Sequence, residues 1–124
     1  MSKAKISDVR QGVTLYYVHA FPHKGMPSYI NKVVVTKRPV RRLSGALFGE
    51  VLEYFDDDLG TGSYSRIFSL RNAGIIQNRY NFHSTFTSLK AAKRYAERMD
   101  RVCLNAAERV KYNRKIAESN DPFY

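Results

Sequence analysis

"FTSLKAAKRYAERMDRVCLNAAERV", residues 86–110, has the clearest periodicity in this 124-residue chain. Apolar or small residues recur in it at alternating spacings of three and four, which places them on one stripe of an α-helix. Thr87 or Ser88 can cap the first turn, and Phe86 stands where a hydrophobic staple begins. The pattern therefore predicts a helix that packs through this stripe. The stripe consists of Leu89, Ala92, Ala96, Met99, Cys103, Ala106 and Val110.

The same pattern extends toward Glu118, which predicts one long C-terminal helix. A continuous helix of that length would span about 45 Å at 1.5 Å per residue, more than the width of so small a domain. We expect its last turns to project, to bend near Asn105 or to pack on a partner. Residues 1–118 are expected to form a single α+β domain, followed by a flexible tail over residues 119–124.

The chain before the helix reads as short strands separated by turn residues. β-Branched and aromatic residues dominate four stretches, which predicts strands. These are "VTLYYVHAF" (13–21), "YINKVVVTK" (29–37), "ALFGEVLEYF" (46–55) and "SYSRIFSL" (63–70), and a short fifth strand is expected within "IIQNRYNFHSTF" (75–86). Ser69 can cap a single helical turn that Gly74 closes in a left-handed conformation. The predicted fold is α+β, an antiparallel four- to five-stranded curled meander packed on one long C-terminal helix.

The charge of the chain favours negatively charged partners. The chain carries 21 Lys and Arg against 11 Asp and Glu, a net charge of +10. Residues 50–58, "EVLEYFDDD", interrupt this surplus with acids alone. A basic excess attracts polyanions such as nucleic acid, and it equally suits an acidic protein surface.

The densest basic cluster lies in "TKRPVRR", residues 36–42. Because proline cannot donate a ladder hydrogen bond, the strand should stop or bulge near Arg38, leaving the cluster at a strand end and in the following loop. The candidate nucleic-acid or partner contacts are Lys37, Arg38, Arg41 and Arg42, with an outward helix row of Lys90, Arg94 and Arg101. Stacking platforms for bases could come from Tyr16, Tyr29, Tyr64 and Tyr80. The plain alternative is a solvated turn.

The sequence gives little support for a catalytic or metal-binding site. His19 and His23 stand four apart on a strand and a loop, a spacing that does not converge two rings, so we expect ordinary, partly exposed histidines. The aspartates 56–58 are interpreted as a solvated hairpin turn, with a cation site or pairing to a basic surface as alternatives. Cys103 falls on the core stripe as an inert thiol. We therefore predict no enzyme activity, no cofactor and no metal.

Localisation follows from the lone cysteine and the apolar pattern. One cysteine cannot form an intramolecular disulfide, which suits a reducing interior. The sequence has neither an apolar run behind its charged start nor a run of the roughly 18 apolar residues that a membrane span requires. We expect a cytoplasmic protein that does not enter the membrane.

The stretches "GMPSYINKVVVTKRPV" (25–40) and "RYNFHSTFTSLKAAKRYAERM" (79–99) resemble small accessory proteins of tailed bacteriophages, in which aromatic strands lead into a helix with alternating bases and alanines. This resemblance implies a setting inside an infected bacterial cell and a binding role. The expected function is non-enzymatic binding of DNA or RNA through backbone phosphates with little sequence preference. The alternative is a modulator or inhibitor of a host protein with an acidic surface, and self-association remains a further possibility.

Overall fold

A computed structural model of the chain describes residues 3–22, 24–43, 46–54, 63–76, 81–102 and 106–119. A short 3-10 helix at Ile6–Asp8 precedes five strands and two helices. The strands are β1 (Thr14–Phe21), β2 (Met26–Arg41), β3 (Leu47–Tyr54), β4 (Ser63–Ser69) and β5 (Ser84–Phe86), and the helices are α1 (Leu89–Arg101) and α2 (Ala106–Ser119). The predicted α+β class is confirmed. The tail beyond residue 119 lies outside the described residues.

The strands form one open antiparallel sheet in the order β4-β3-β2-β1-β5. Strands β1 to β4 follow one another as a meander, and β5 returns to pair with the free side of β1. The expected short fifth strand is therefore confirmed. Next to β5, the Ala4 N–H donates to the Thr85 carbonyl at 2.9 Å, which ties the N-terminal segment to the sheet.

Strand β2 runs through Pro39 and does not stop there. Its pairing with β3 is irregular between Val35 and Lys37 and again between Lys37 and Val40. Pro39 falls inside the second irregular stretch, where its missing N–H removes no ladder hydrogen bond. The prediction of a bulge near Arg38 is confirmed, and the alternative prediction that the strand ends there is wrong. Consequently Lys37, Arg38 and Arg41 lie within β2, and only Arg42 follows it.

The sheet buries side chains on both of its faces. Successive residues of β1 alternate between them, so Leu15 and Tyr17 join one core while Val18 joins another. The core of what we call the helix-bearing face contains Val18 and Phe86 packed with Ala92 and Ala96 of α1. The core of the opposite face is larger and consists of Ala4, Val9, Leu15, Tyr17, Val33, Val35, Val51, Phe68, Leu70, Ala73 and Ile75.

The turn after β4 has the predicted local structure. The Asn72 N–H donates to the Ser69 hydroxyl at 3.3 Å, and the Ala73 N–H donates to the Ser69 carbonyl at 3.0 Å. Gly74 ends the turn at φ +73°, a region that glycine enters without steric penalty. Both the cap and the left-handed glycine are confirmed.

The structure divides the predicted long helix in two. Ser88 caps α1 by accepting a hydrogen bond from the Ala91 N–H at 3.2 Å, as predicted. Helix α1 ends at Arg101 because Val102 adopts an extended conformation, φ −69° and ψ 127°. The stripe is therefore buried in α1 at Ala92 and Ala96, whereas Val110 of α2 is 58% exposed and Cys103 lies outside the described residues. Of the helices that the structure describes, none is both long enough and apolar enough to cross a membrane.

Candidate nucleic-acid interface

The four basic residues predicted in the 37–42 cluster are all exposed. Lys37 stands opposite Glu50 in the β2–β3 ladder, with its Nζ 3.5 Å from a carboxylate oxygen. The lysine side chain is 71% exposed, so water screens this ion pair and its contribution to stability is small. Glu50 nonetheless offsets part of the lysine's charge, and we expect Lys37 to be the weakest phosphate contact of the four.

The strand register distributes the cluster over both faces of the sheet. Lys37 pairs with Glu50, and these residues share the helix-bearing face because their neighbour Val51 points into the opposite core. Arg41 pairs with Leu47, which packs against the opposite core. Arg42 returns to the helix-bearing face, where its guanidinium carbon lies 5.4 Å from the centre of the Phe48 ring.

The predicted helix row is exposed on α1, on the side away from the sheet. Lys90, Arg94 and Arg101 stand roughly half a turn from the buried Ala92 and Ala96, as a 3.6-residue period requires. The row is therefore a surface separate from the 37–42 cluster. At the end of the same helix, the Asp100 carboxylate accepts a hydrogen bond of 2.7 Å from the Ser28 N–H, which fixes α1 to the beginning of β2.

The proposed tyrosine platforms differ in availability. Tyr16 packs beside α1 in the core of the helix-bearing face, so its ring cannot receive a base. Tyr29 is 50% exposed, and one face of its ring stacks on His19 at 4.4 Å. The side chains of Tyr64 and Tyr80 lie outside the described residues, as do His23 and the aspartates 56–58.

His19, expected to be partly exposed, is buried, and so is His83. His19 is 7% exposed and His83 is 6% exposed, with ring centres 5.1 Å apart. Strand β5 pairs with β1, and this brings His83 close enough for its Nδ1 to accept a hydrogen bond from the Ala20 N–H at 3.0 Å. The expectation of a partly exposed His19 ring is wrong because strand pairing stacks it on Tyr29 and brings His83 beside it. The residues described contain no cluster of three or more side chains suited to a metal ion.

A buried polar chain connects His19 to an ion pair that the sequence analysis missed. Glu53 is 3% exposed, and its carboxylate lies 2.6 Å from Nη1 of Arg66. The Asn31 amide donates to Glu53 and also lies 3.2 Å from Nε2 of His19. Glu53 belongs to the acidic run of residues 50–58, but its place two residues after Val51 puts it on the core face. The alternation of side chains along β3 was therefore the sequence signal that could have identified Glu53 as buried.

His19 should make folding stability depend on pH. Burial, together with the positive charge of Arg66, lowers the pKa of His19 from 6.5 to about 4. Because the unfolded chain takes up this proton first, stability should be complete above pH 6.5 and decline as the pH falls to 4 and below, by about 3 kcal/mol in total. Urea unfolding at several pH values measures this decline.

The matched variant for this titration is His19→Phe, which keeps an aromatic ring between Tyr17 and Tyr29 but cannot be protonated. The wild-type curve should fall more steeply than the variant's between pH 6.5 and 4. Parallel curves for the two proteins would contradict the assignment, since the other titrating groups contribute equally to both.

A cleft of about 320 Å³ opens between α1, β5 and the turn that contains Gly74. Tyr95 forms part of its wall and donates a hydrogen bond of 2.6 Å from its hydroxyl to the Phe82 carbonyl. Burial raises the pKa of Tyr95, partly offset by Arg98, whose guanidinium carbon lies 5.3 Å from the ring centre. The other lining residues are Lys3, Gly74, Ile76, Asn81, His83, Ser84 and Phe86.

Comparison with known proteins places these features in a family. A family model described as Phage g100-like protein matches residues 3–99, a range that includes all five strands and nearly all of α1. No curated protein and no solved structure gives a significant match. The matched range covers the 37–42 cluster and the buried polar chain, and α2 lies beyond it.

Proposed function

The chain belongs to the Phage g100-like protein family, and on that premise we propose that it is a non-enzymatic accessory protein that binds nucleic acid in the cytoplasm of an infected bacterium. The observation that supports this proposal is the exposure of four cations within six residues of one hairpin, Lys37, Arg38, Arg41 and Arg42. Strand pairing holds the hairpin in one conformation, so these cations are positioned before any phosphate arrives.

Binding of this kind depends on phosphates and not on the base sequence. Phosphate contacts orient a protein on nucleic acid but carry no sequence information. The cluster lies on a strand and on the turn that follows it. The basic row of α1 is exposed to solvent, and its arrangement does not indicate a helix that reads bases in a groove. We therefore expect DNA and RNA of unrelated sequence to bind with similar affinity, and the affinity to fall as salt competes for the phosphates.

The proposal predicts a measurable salt slope. In fluorescence anisotropy with labelled oligonucleotides from about 50 to 300 mM salt, log K should fall linearly with log salt, by about 0.7–0.9 per phosphate contact. The triple variant R38Q/R41Q/R42Q should reduce that slope by about two units and weaken binding at least tenfold at about 100 mM salt. A slope near zero for the wild type would refute the proposal.

The matched control is R109Q/K111Q/R114Q, which removes three exposed positive charges from α2. It changes the net charge by the same amount at a different place, so it separates a local contact from general attraction. It should alter the slope by less than half of what the hairpin variant does. Equal effects of the two triple variants would mean that the hairpin is not the contact surface.

A second candidate function is supported by exposed apolar side chains beside the cluster. Val40 is 60% exposed, Ile67 is 56% exposed, and Leu43 is fully exposed at the hairpin turn. Apolar anchors ringed by arginine are typical of protein contacts, so a host protein with an acidic surface is the competing partner. A tagged pull-down from nuclease-treated bacterial lysate distinguishes the two: one protein retained at moderate salt would favour a protein-binding modulator.

A further inference from the structure

Helix α1 covers only part of the sheet face on which it lies. It packs on β1, β2 and β5 and, within the described ranges, not on β3 or β4. The register continues the same face past the helix: Val34 pairs with Leu52, and Val40 pairs with Phe48. Between these two pairs Lys37 stands opposite Glu50, and Glu50 pairs in turn with Ile67 of β4. We call this uncovered area the open sheet face, composed of Val34, Val40, Phe48, Leu52 and Ile67.

The open sheet face is apolar and accessible. Val40 and Ile67 are more than half exposed, and Val34, Phe48 and Leu52 are partly exposed. An area of this kind on a monomer usually marks an interaction surface. Exposed branched side chains beside an aromatic ring offer the contact that the faces of nucleobases or apolar side chains require.

Cations lie within and beside this apolar surface. Lys32 and Lys37 lie on the same face along β2, and Arg42 sits over Phe48 at 5.4 Å. Glu50 is the acid on the described part of this face, and it is already paired with Lys37. A guanidinium stacked on an aromatic ring forms a planar, positively charged platform, which suits an electron-rich base with a nearby phosphate.

We propose that the open sheet face binds single-stranded nucleic acid, with bases on the apolar residues and phosphates on Lys32, Lys37 and Arg42; this rests on the proposed function. A duplex keeps its bases stacked inside and presents only phosphates, so it leaves the apolar surface unused. Helix α2 is a poor occupant because Arg109, Lys111 and Arg114 outnumber Glu108 there. A second copy packed through the same face would also be unfavourable, because the basic residues of the two copies would repel each other.

The test compares a labelled 20-nucleotide oligo-dT with a 20-base-pair duplex at about 100 mM salt. The wild type should bind the single strand at least about tenfold more tightly than the duplex. Phe48→Leu, which keeps apolar volume but removes the ring, should lower single-strand affinity about five- to tenfold with an unchanged salt slope and unchanged duplex affinity. Phe82→Leu, the same change at a partly exposed ring that lines the cleft between α1 and β5, is the matched control and should leave the preference intact.

A second variant keeps the test valid if Phe48→Leu fails to fold. Ile67 is 56% exposed, so Ile67→Glu should fold normally while placing an acid where the strand binds. It should weaken single-strand binding at least about tenfold, whereas Ile67→Lys should preserve it.

The outcomes separate this proposal from the proposed function. Equal affinity for single strand and duplex, or equal effects of Phe48→Leu and Phe82→Leu, would overturn the single-strand assignment; loss of binding in R38Q/R41Q/R42Q would still support phosphate binding. No binding of either oligonucleotide at about 50 mM salt would refute both. If Ile67→Glu instead abolishes capture of a host protein and leaves oligonucleotide binding unchanged, the open sheet face is a protein interface and this proposal is wrong.

Discussion

Replacing Glu53 by alanine should lower the free energy of unfolding by about 3–5 kcal/mol, because one partner of a buried ion pair would be left without the other. Glu53 is 3% exposed and its carboxylate contacts Arg66 at 2.6 Å. The Asn31 amide, which donates to the same carboxylate, would lose that acceptor as well. Urea unfolding at neutral pH gives the free energy directly.

The matched control is Glu50→Ala on the same strand. Glu50 also faces a basic residue, but the Lys37 pair is 3.5 Å long and its two side chains are 71% and 33% exposed. Its loss should cost no more than about 1 kcal/mol. Similar costs for the two variants would contradict the assignment of Glu53 as a buried, paired charge.

The double variant Glu53→Ala with Arg66→Ala tests the mechanism of this cost. If the penalty comes mainly from the guanidinium that has lost the Glu53 carboxylate, removing Arg66 as well should recover part of the stability lost in Glu53→Ala. The Arg66 side chain is 25% exposed, so it can reach some water and the recovery should be partial. A strictly additive double variant would mean that the two side chains do not interact.

The fold was predictable where local rules decide it. Alternation of apolar residues predicted β1, and the spacing around Ala92 and Ala96 predicted α1. Ser69 and Gly74 have the predicted roles because a cap and a left-handed glycine depend on a few consecutive residues. The end of α1 was not predictable in this way, since the three-and-four spacing continues past Val102 without a proline or glycine.

The buried polar chain could not be predicted because it depends on strand pairing. His83 meets His19 only when β5 lies beside β1, although the two residues are far apart in sequence. Glu53 finds Arg66 only through the β3–β4 register. The basic cluster is visible in the sequence from its composition alone. Its division between the two sheet faces follows from the bulges on either side of Lys37. The presence of Pro39 does not specify where those bulges occur.

Replacing Gly74 by alanine should destabilise the protein by about 3–5 kcal/mol, because the change combines backbone strain with overpacking. Gly74 has φ +73°, and a Cβ there would overlap the His83 carbonyl oxygen and lie 2.8 Å from the Ser84 Cα. Both obstacles are backbone atoms of the segment that forms β5, so no rotamer change relieves them. Moving that segment would also disturb the 2.7 Å hydrogen bond from the Thr85 hydroxyl to the Ala73 carbonyl.

Gly25→Ala is the control that separates strain from overlap. Gly25 has a similar φ of +66°, but a Cβ added there meets no atom within 4 Å. Its replacement should cost only the left-handed penalty of about 1–2 kcal/mol. The excess for Gly74→Ala, measured by urea unfolding of both variants, therefore reports how rigidly β5 is held against the turn. Equal losses would show that β5 moves aside freely, which would contradict the hydrogen bonds that tie Thr85 to Ala4 and Ala73.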